Sequence, residues 1–212
     1  VLKVFPAALG GACVVLSLLT SVAIADDGLT FTVMRNGDEI GTHEIEITSR
    51  GDRMEVEIET EVAVKLAFIT VYNFDHEGHE VWQGGRLVSY ESRTDDDGTE
   101  KSLRARAAGD HLAVDGSAAK RNAPASVIPG SLWNQATVAQ SKLMNSLDGS
   151  EMAIAVADLG DEDVVAGGKS LRARHYSLTG DLQREVWYDS AGRLVKVRFS
   201  GSDGSDIQYL LK

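Results

Sequence analysis

The chain has 212 residues, room for one or two domains, with 21 Lys and Arg against 32 Asp and Glu and a net charge of −11. At 43% hydrophobic and 25% charged residues it has ordinary globular composition, which excludes wholesale disorder, and its acidity excludes a basic nucleic-acid-binding surface. The one cysteine, Cys13, excludes an intramolecular disulfide and a Cys-based zinc site.

The first segment, residues 1–25, reads as a cleaved secretory signal peptide. Lys3 supplies a short charged start, an apolar run follows from Ala7 to Ile24, and Ala23-Ile24-Ala25 is a small-x-small cleavage pattern before Asp26-Asp27-Gly28. Gly10, Gly11 and Ser17 inside the run argue against a retained transmembrane anchor. Cys13 lies within the run and not at its end, so lipidation is not expected. Val1 suggests a GTG start codon of the kind bacteria use, and with the leader this gives the expectation of a bacterial periplasmic or secreted protein. Cleavage of 25 residues from 212 leaves 187, read as a single β-rich domain over residues 26–212.

Period-2 alternation recurs along that domain. Leu29, Phe31 and Val33 alternate with Thr30, Thr32 and Met34, and Asn36-Gly37 is a hairpin turn signal. His43, Ile45 and Ile47 form the next apolar face, and Arg50-Gly51-Asp52 turns the chain again. From Met54 to Trp82 no strong turn residue appears before Glu77-Gly78. The even positions Val56, Ile58, Val62, Val64, Leu66, Phe68, Tyr72 and Phe74 are apolar throughout. The odd positions begin with Glu55, Glu57, Glu59 and Glu61 and turn apolar at Ala63, Ala67, Ile69 and Val71. Twenty extended residues would span about 66 Å, so a bulge or bend is expected near Lys65 to Ala67. A strand apolar on both faces from Ala63 also implies that something covers its second face.

Two candidates fit that role. Residues 131–147 are the best predicted helix, with Leu132, Ala136, Ala139, Leu143 and Leu147 at helical spacing, Ser131 as cap and Asp148-Gly149 as terminator. The other candidate is a bound apolar ligand. Further strands are predicted near 86–94, 99–107, 111–115, 151–158, 169–178, 182–188, 194–200 and 205–211. The resulting expectation is a mainly β fold: a curved antiparallel sheet or open half β-barrel, with one helix packed on or in its concave face. Glu80-Val81-Trp82 with Gly85-Arg86-Leu87-Val88 is echoed by Glu185-Val186-Trp187 with Gly192-Arg193-Leu194-Val195, which reads as one strand–turn–strand device used twice.

Several of these stretches carry a resemblance. Val64 to Tyr72, His76, Glu80-Val81-Trp82, Gly85-Arg86-Leu87, Leu132-Trp133-Asn134, Arg174-His175-Tyr176 and Trp187-Tyr188-Asp189 resemble an uncharacterised family of secreted proteobacterial proteins, a domain of unknown function. That family implies no catalytic residues. The hairpin from Trp187 through Gly192-Arg193-Leu194-Val195 also resembles the periplasmic lipoprotein carriers, which implies a half-barrel with an apolar concavity that holds acyl chains under a lid.

Chemistry is sparse beside this. Asp75-His76-Glu77-Gly78-His79-Glu80 is the densest polar cluster. A turn at Glu77-Gly78 would let His76 and His79 converge on a metal, whereas a continuous strand would send them to opposite faces. A structural His76–Glu80 pairing and a solvated strand end are the other readings. No Ser nucleophile elbow and no phosphate loop is present, so no catalytic residue, metal or cofactor is expected. The expected function is non-enzymatic binding of an apolar or amphipathic, lipid-like ligand. Val62, Val64, Leu66, Phe68, Ile69, Tyr72, Trp82, Trp133 and Trp187 are its candidate site residues, with residues 131–147 as lid. The alternatives are a structural or assembly protein that binds another cell-envelope protein and a metal-dependent hydrolase at His76 and His79. No nucleic acid and no transmembrane anchor after cleavage are expected.

Overall fold

The computed structural model describes residues 24–118 and 120–212. The expected leader falls outside them, apart from Ile24 and Ala25, which open the first strand. The strands in chain order are β1 (Ile24–Arg35), β2 (Asp38–Arg50), β3 (Arg53–Leu66), β4 (Ile69–Gln83), β5 (Arg86–Asp96), β6 (Thr99–Ala108), β7 (His111–Gly116) and β8 (Lys120–Pro124). After a long connection come β9 (Lys142–Met144), β10 (Glu151–Ala166), β11 (Lys169–Gly180), β12 (Arg184–Asp189), β13 (Leu194–Ser200) and β14 (Asp206–Leu211). All fourteen form one antiparallel sheet in the order β8-β7-β6-β5-β4-β3-β2-β1-β14-β13-β12-β11-β10-β9. It is a meander whose two chain ends meet in the middle, where Val33 of β1 pairs with Tyr209 of β14.

The sheet curls around one face. A single apolar cluster takes Leu29 from β1, Ile58 from β3, Leu103 from β6, Ala123 from β8, Ile154 from β10 and Val186 from β12. Strands so far apart in the order share one cluster only if the sheet bends, and the right-handed strand twist together with bulges supplies the bend. Bulges interrupt the register at Val33/Met34, Val64/Lys65, Val81/Trp82, Asp158/Gly160 and Trp187/Tyr188. The sheet does not close, because β8 and β9 stand at its two ends.

The predicted helix is not formed. Residues 131–147 contain a single 3-10 turn, Gln135–Ala139, and then β9. Asn134 caps the turn by accepting from the Ala136 amide, and Gln140 is already extended at φ −94°, ψ 153°. The whole connection from 125 to 150 is a strap laid into the concavity. It bonds to itself through Gly130 N to Met144 O at 2.8 Å and Met144 N to Ile128 O at 3.0 Å. It bonds to the sheet wall through the Tyr188 hydroxyl, which donates to Leu132 O at 2.6 Å. Leu132 holds φ 68°, a conformation that costs an ordinary residue about 1–2 kcal/mol, and its side chain is buried in the cluster. Burial of Val127, Ile128, Leu132, Leu143 and Met144 against the curled sheet outweighs the helical spacing.

The long apolar stretch after Met54 is a hairpin and not a bent strand. Its two-residue turn is Ala67-Phe68, with Ala67 at φ 54° and no glycine, asparagine or proline to announce it. The bulge at Val64/Lys65 restores the pairing parity, so Val64 faces Tyr72 and Val62 faces Phe74. The expected covering of both faces is therefore wrong at this point. Beyond the bulge the strand pair projects into solvent, with Phe68 fully exposed and Leu66 and Ile69 about 70% exposed. The outer face that is covered lies elsewhere. The β10–β11 hairpin curls back over β12–β14, where Gly167 N donates to Leu211 O at 2.7 Å and a second cluster forms from Val164, Ala166, Ala173, Trp187 and Val195. Among the described residues no helix is long and apolar enough to cross a membrane.

Candidate functional site

The strap fills only part of the concave face and leaves two unlike halves. At the closed half the fastening point is Glu80 on β4. It is fully buried, and burial raises its pKa to about 7 against the opposing pull of its hydrogen bonds. Ser131 Oγ donates to Oε1 at 2.7 Å, and the indole nitrogens of Trp82 and Trp133 donate to Oε2 at 2.7 and 3.0 Å. Ser131 and Trp133 belong to the strap, so one carboxyl ties strap to sheet. The two indoles meet edge to face at 5.8 Å.

Next along the concave face runs a polar row across four strands. His43, Thr60, His76 and Thr94 are successive cross-strand partners on β2, β3, β4 and β5. His43 Nδ1 lies 2.7 Å from Thr60 Oγ1 and His76 Nδ1 lies 2.8 Å from Thr94 Oγ1. Burial holds both rings neutral: the His43 pKa falls to about 3, with His76 adding to the effect, and that of His76 to about 4. His43, Thr60 and His76 line a recess of about 170 Å³ together with Ser131, Asn145 and Arg184.

The open half begins there. A cleft of about 620 Å³ runs outward between β1, β3, β4, β13 and β14. Its floor is a third apolar cluster, Val33, Val62 and Ile207, flanked by Ile40, Tyr72, Phe74, Phe199 and Tyr209. Leu147, near the end of the strap, lines both the cleft and the recess, as do Phe74, Phe199, Tyr209 and Arg184. The rim carries ion pairs: Arg35 Nη2 to Asp203 at 2.6 Å, and Asp96, which accepts from Lys101 at 2.8 Å and from Tyr72 at 3.0 Å.

The nine candidate residues scatter over four places. Val62, Val64 and Tyr72 line the cleft. Leu66, Phe68 and Ile69 lie at the exposed hairpin tip just beyond it. Trp82 and Trp133 sit at the closed end on Glu80. Trp187 faces outward, stacked on His175 at 4.1 Å with its Nε1 donating to Glu162 at 2.5 Å. The repeated Glu-Val-Trp device thus has opposite facing in its two copies. Trp82 points into the concavity, whereas in β12 it is Val186 and Tyr188 that do so. Sequence reasoning missed the walls from Val33, Phe199, Ile207 and Tyr209, because only the pairing of the two chain ends brings them to the cleft. It also missed Arg184, whose apolar neighbour Phe199 is fifteen positions away.

The metal reading of the histidine cluster is corrected. Glu77 and Gly78 lie inside β4, not in a turn, so His76 is buried in the concavity while His79 is on the outer face, 3.9 Å from Glu55. Among the described residues no group of three or more His, Cys, Asp or Glu converges on a metal position. His76 and Glu80 share the concave face, but the Glu80 hydrogen bonds come from Ser131 and the two indoles.

Residues 31–212 match the family described as "Domain of unknown function (DUF6134)". The chain belongs to that family. No curated protein matches it. Among solved structures it is similar to a β-barrel-like protein of another domain of unknown function, DUF1849, from Brucella abortus, with a TM-score of 0.61 at 9% identity over 91% of this chain and 98% of that one. At that identity the likeness is one of fold, and it agrees with the curled, unclosed sheet of this DUF6134 member.

Proposed function

We propose that this protein is a non-enzymatic binding protein for an apolar or amphipathic, lipid-like ligand, acting in the bacterial periplasm. The observation that carries the reading is the 620 Å³ cleft, walled by apolar side chains from both ends of the chain and left uncovered by the strap that fills the other half. Its volume falls within the roughly 300–1,000 Å³ of small-molecule sites. The leader-like residues 1–25 and the carrier-like hairpin after Trp187 support the compartment and the ligand class. Native mass spectrometry with lipid extraction from the purified protein tests the proposal. A co-purifying lipid is expected, and it should be lost in Val64→Asp, which sets a charge in a half-buried wall position. A protein that emerges empty after exposure to envelope lipids ends the proposal.

A second reading rests on the β3–β4 hairpin tip. Leu66, Phe68 and Ile69 stand in solvent, and large exposed apolar side chains in a group suit an interaction with another envelope protein. Pull-down from envelope extracts separates the two: a stoichiometric partner without lipid favours this one.

A further inference from the structure

Arg184 opens β12 where the cleft meets the recess, and it lines both. Its guanidinium lies 3.7 Å above the Phe199 ring. Nη1 donates to the carbonyl of Gln183 at 2.8 Å, its one hydrogen bond among the described residues, and it forms no ion pair among them. The other rim charges of the cleft are already matched, Arg35 by Asp203 and Asp96 by Lys101. A guanidinium has five N–H donors, so most of this fork is left for something in the cavity. Burial lowers the Arg184 pKa, and the side chain stays part-exposed to the cleft with no anion beside it among the described residues. The recess beside it adds hydrogen-bonding side chains, His43, His76, Ser131 and Asn145. Away from Arg184 the cleft wall becomes apolar through Val62 and Val64 and runs on to the bare hairpin tip.

We propose that Arg184 anchors the carboxylate of a single-chain amphiphile whose hydrocarbon tail lies along the cleft toward the β3–β4 tip. The inference rests on the lipid-binding reading above and specifies its ligand class. A carboxylate fits the planar fork in two parallel hydrogen bonds, and one negative charge balances one unmatched cation. A cationic head would meet Arg184 itself, and a dianionic phosphate would have one charge left over.

The test is calorimetric titration of the full chain with dodecanoate, dodecanol and dodecyltrimethylammonium at pH 8. The same titrations are run on Arg184→Gln and Arg184→Lys. The wild-type protein is expected to bind dodecanoate about tenfold more tightly than dodecanol and the cation most weakly. Arg184→Gln should bring dodecanoate down to the level of dodecanol and leave dodecanol unchanged, which also shows that the variant is folded. Arg184→Lys should keep part of the preference. Equal wild-type affinity for dodecanoate and dodecanol overturns the anchor while sparing the cleft, as does a preference that survives in Arg184→Gln. Displacement of dodecanoate by equimolar acetate overturns it in favour of a small-anion site. Failure of all three amphiphiles to bind sinks the lipid reading itself.

Discussion

Glu80 offers two substitutions with opposite signs. Its carboxyl has an ordinary pKa of 4.5 and a folded-state value of about 7, raised by burial. Below pH 4.5 it is neutral in the folded and the unfolded chain and contributes no pH dependence. Between 4.5 and 7 the unfolded chain ionises while the folded one resists, so stability falls as pH rises. Above pH 7 the loss levels off at about 3 kcal/mol, the free-energy equivalent of that pKa difference. Glu80→Gln keeps the geometry: the amide oxygen accepts from Trp82 and Trp133, and the amide nitrogen donates to Ser131 Oγ, which accepts as readily as it donates. It is therefore expected to match wild type near pH 4 and to exceed it by about 3 kcal/mol at pH 8. Glu80→Ala strands three donors at once, each at about 1–3 kcal/mol, and should lose 3 kcal/mol or more, on the order of the same sum, even at pH 5. Urea unfolding followed by tryptophan fluorescence from pH 4 to 8 reads both, since two of the three reporters sit on the carboxyl. If Glu80→Gln is no more stable than wild type at pH 8 and keeps its pH slope, the buried-charge account is refuted.

Four more outcomes follow from the structure. His43 and His76, with pKa values lowered to about 3 and about 4, stay neutral in the fold while the unfolded rings protonate below 6.5. Stability should thus be lost as pH falls from 6.5 to 4, and in the Glu80→Gln background His43→Gln should reduce that loss in acid titrations followed by circular dichroism. Tyr188→Phe removes the donor to Leu132 O and should cost about 1–2 kcal/mol by urea unfolding, with the strap easier to cleave by protease. Gly41→Ala places a Cβ 1.9 Å from the Glu61 carbonyl, so the β2–β3 pairing has to shift, at a cost of about 1–3 kcal/mol or more by thermal unfolding. Phe68→Ser at the exposed tip should change stability by less than about 0.5 kcal/mol while lowering fluorescence of a surface-hydrophobicity dye; a large stability loss would show that the tip is packed.

Local pattern was enough for the class of fold and for most strands. Alternation at Leu29-Phe31-Val33 and at His43-Ile45-Ile47, and the Asn36-Gly37 turn with both residues at positive φ, are readable because a strand shows its two faces every second residue. The same reasoning failed at 131–147, where apolar spacing fits a helix but the strap buries Leu132, Leu143 and Met144 against a surface supplied by remote strands. It failed again at Ala67, since a turn without glycine or asparagine leaves no mark, and at β10, which runs on through a bulge at Gly160 to cover Trp187.

The facing of the three tryptophans shows where local information stops. Composition and alternation establish a curled, acidic, disulfide-free sheet with aromatic residues near its turns. They do not say which face of the sheet a given parity will occupy, because each one-residue bulge exchanges the faces and the curl makes one of them an interior. Nor do they place Val33 beside Ile207, or set an unpaired Arg184 at the head of an apolar cleft. Those contacts join residues more than a hundred positions apart, or strands on opposite sides of the curl, and are chosen by the free energy of closing the chain's two ends onto one concave face.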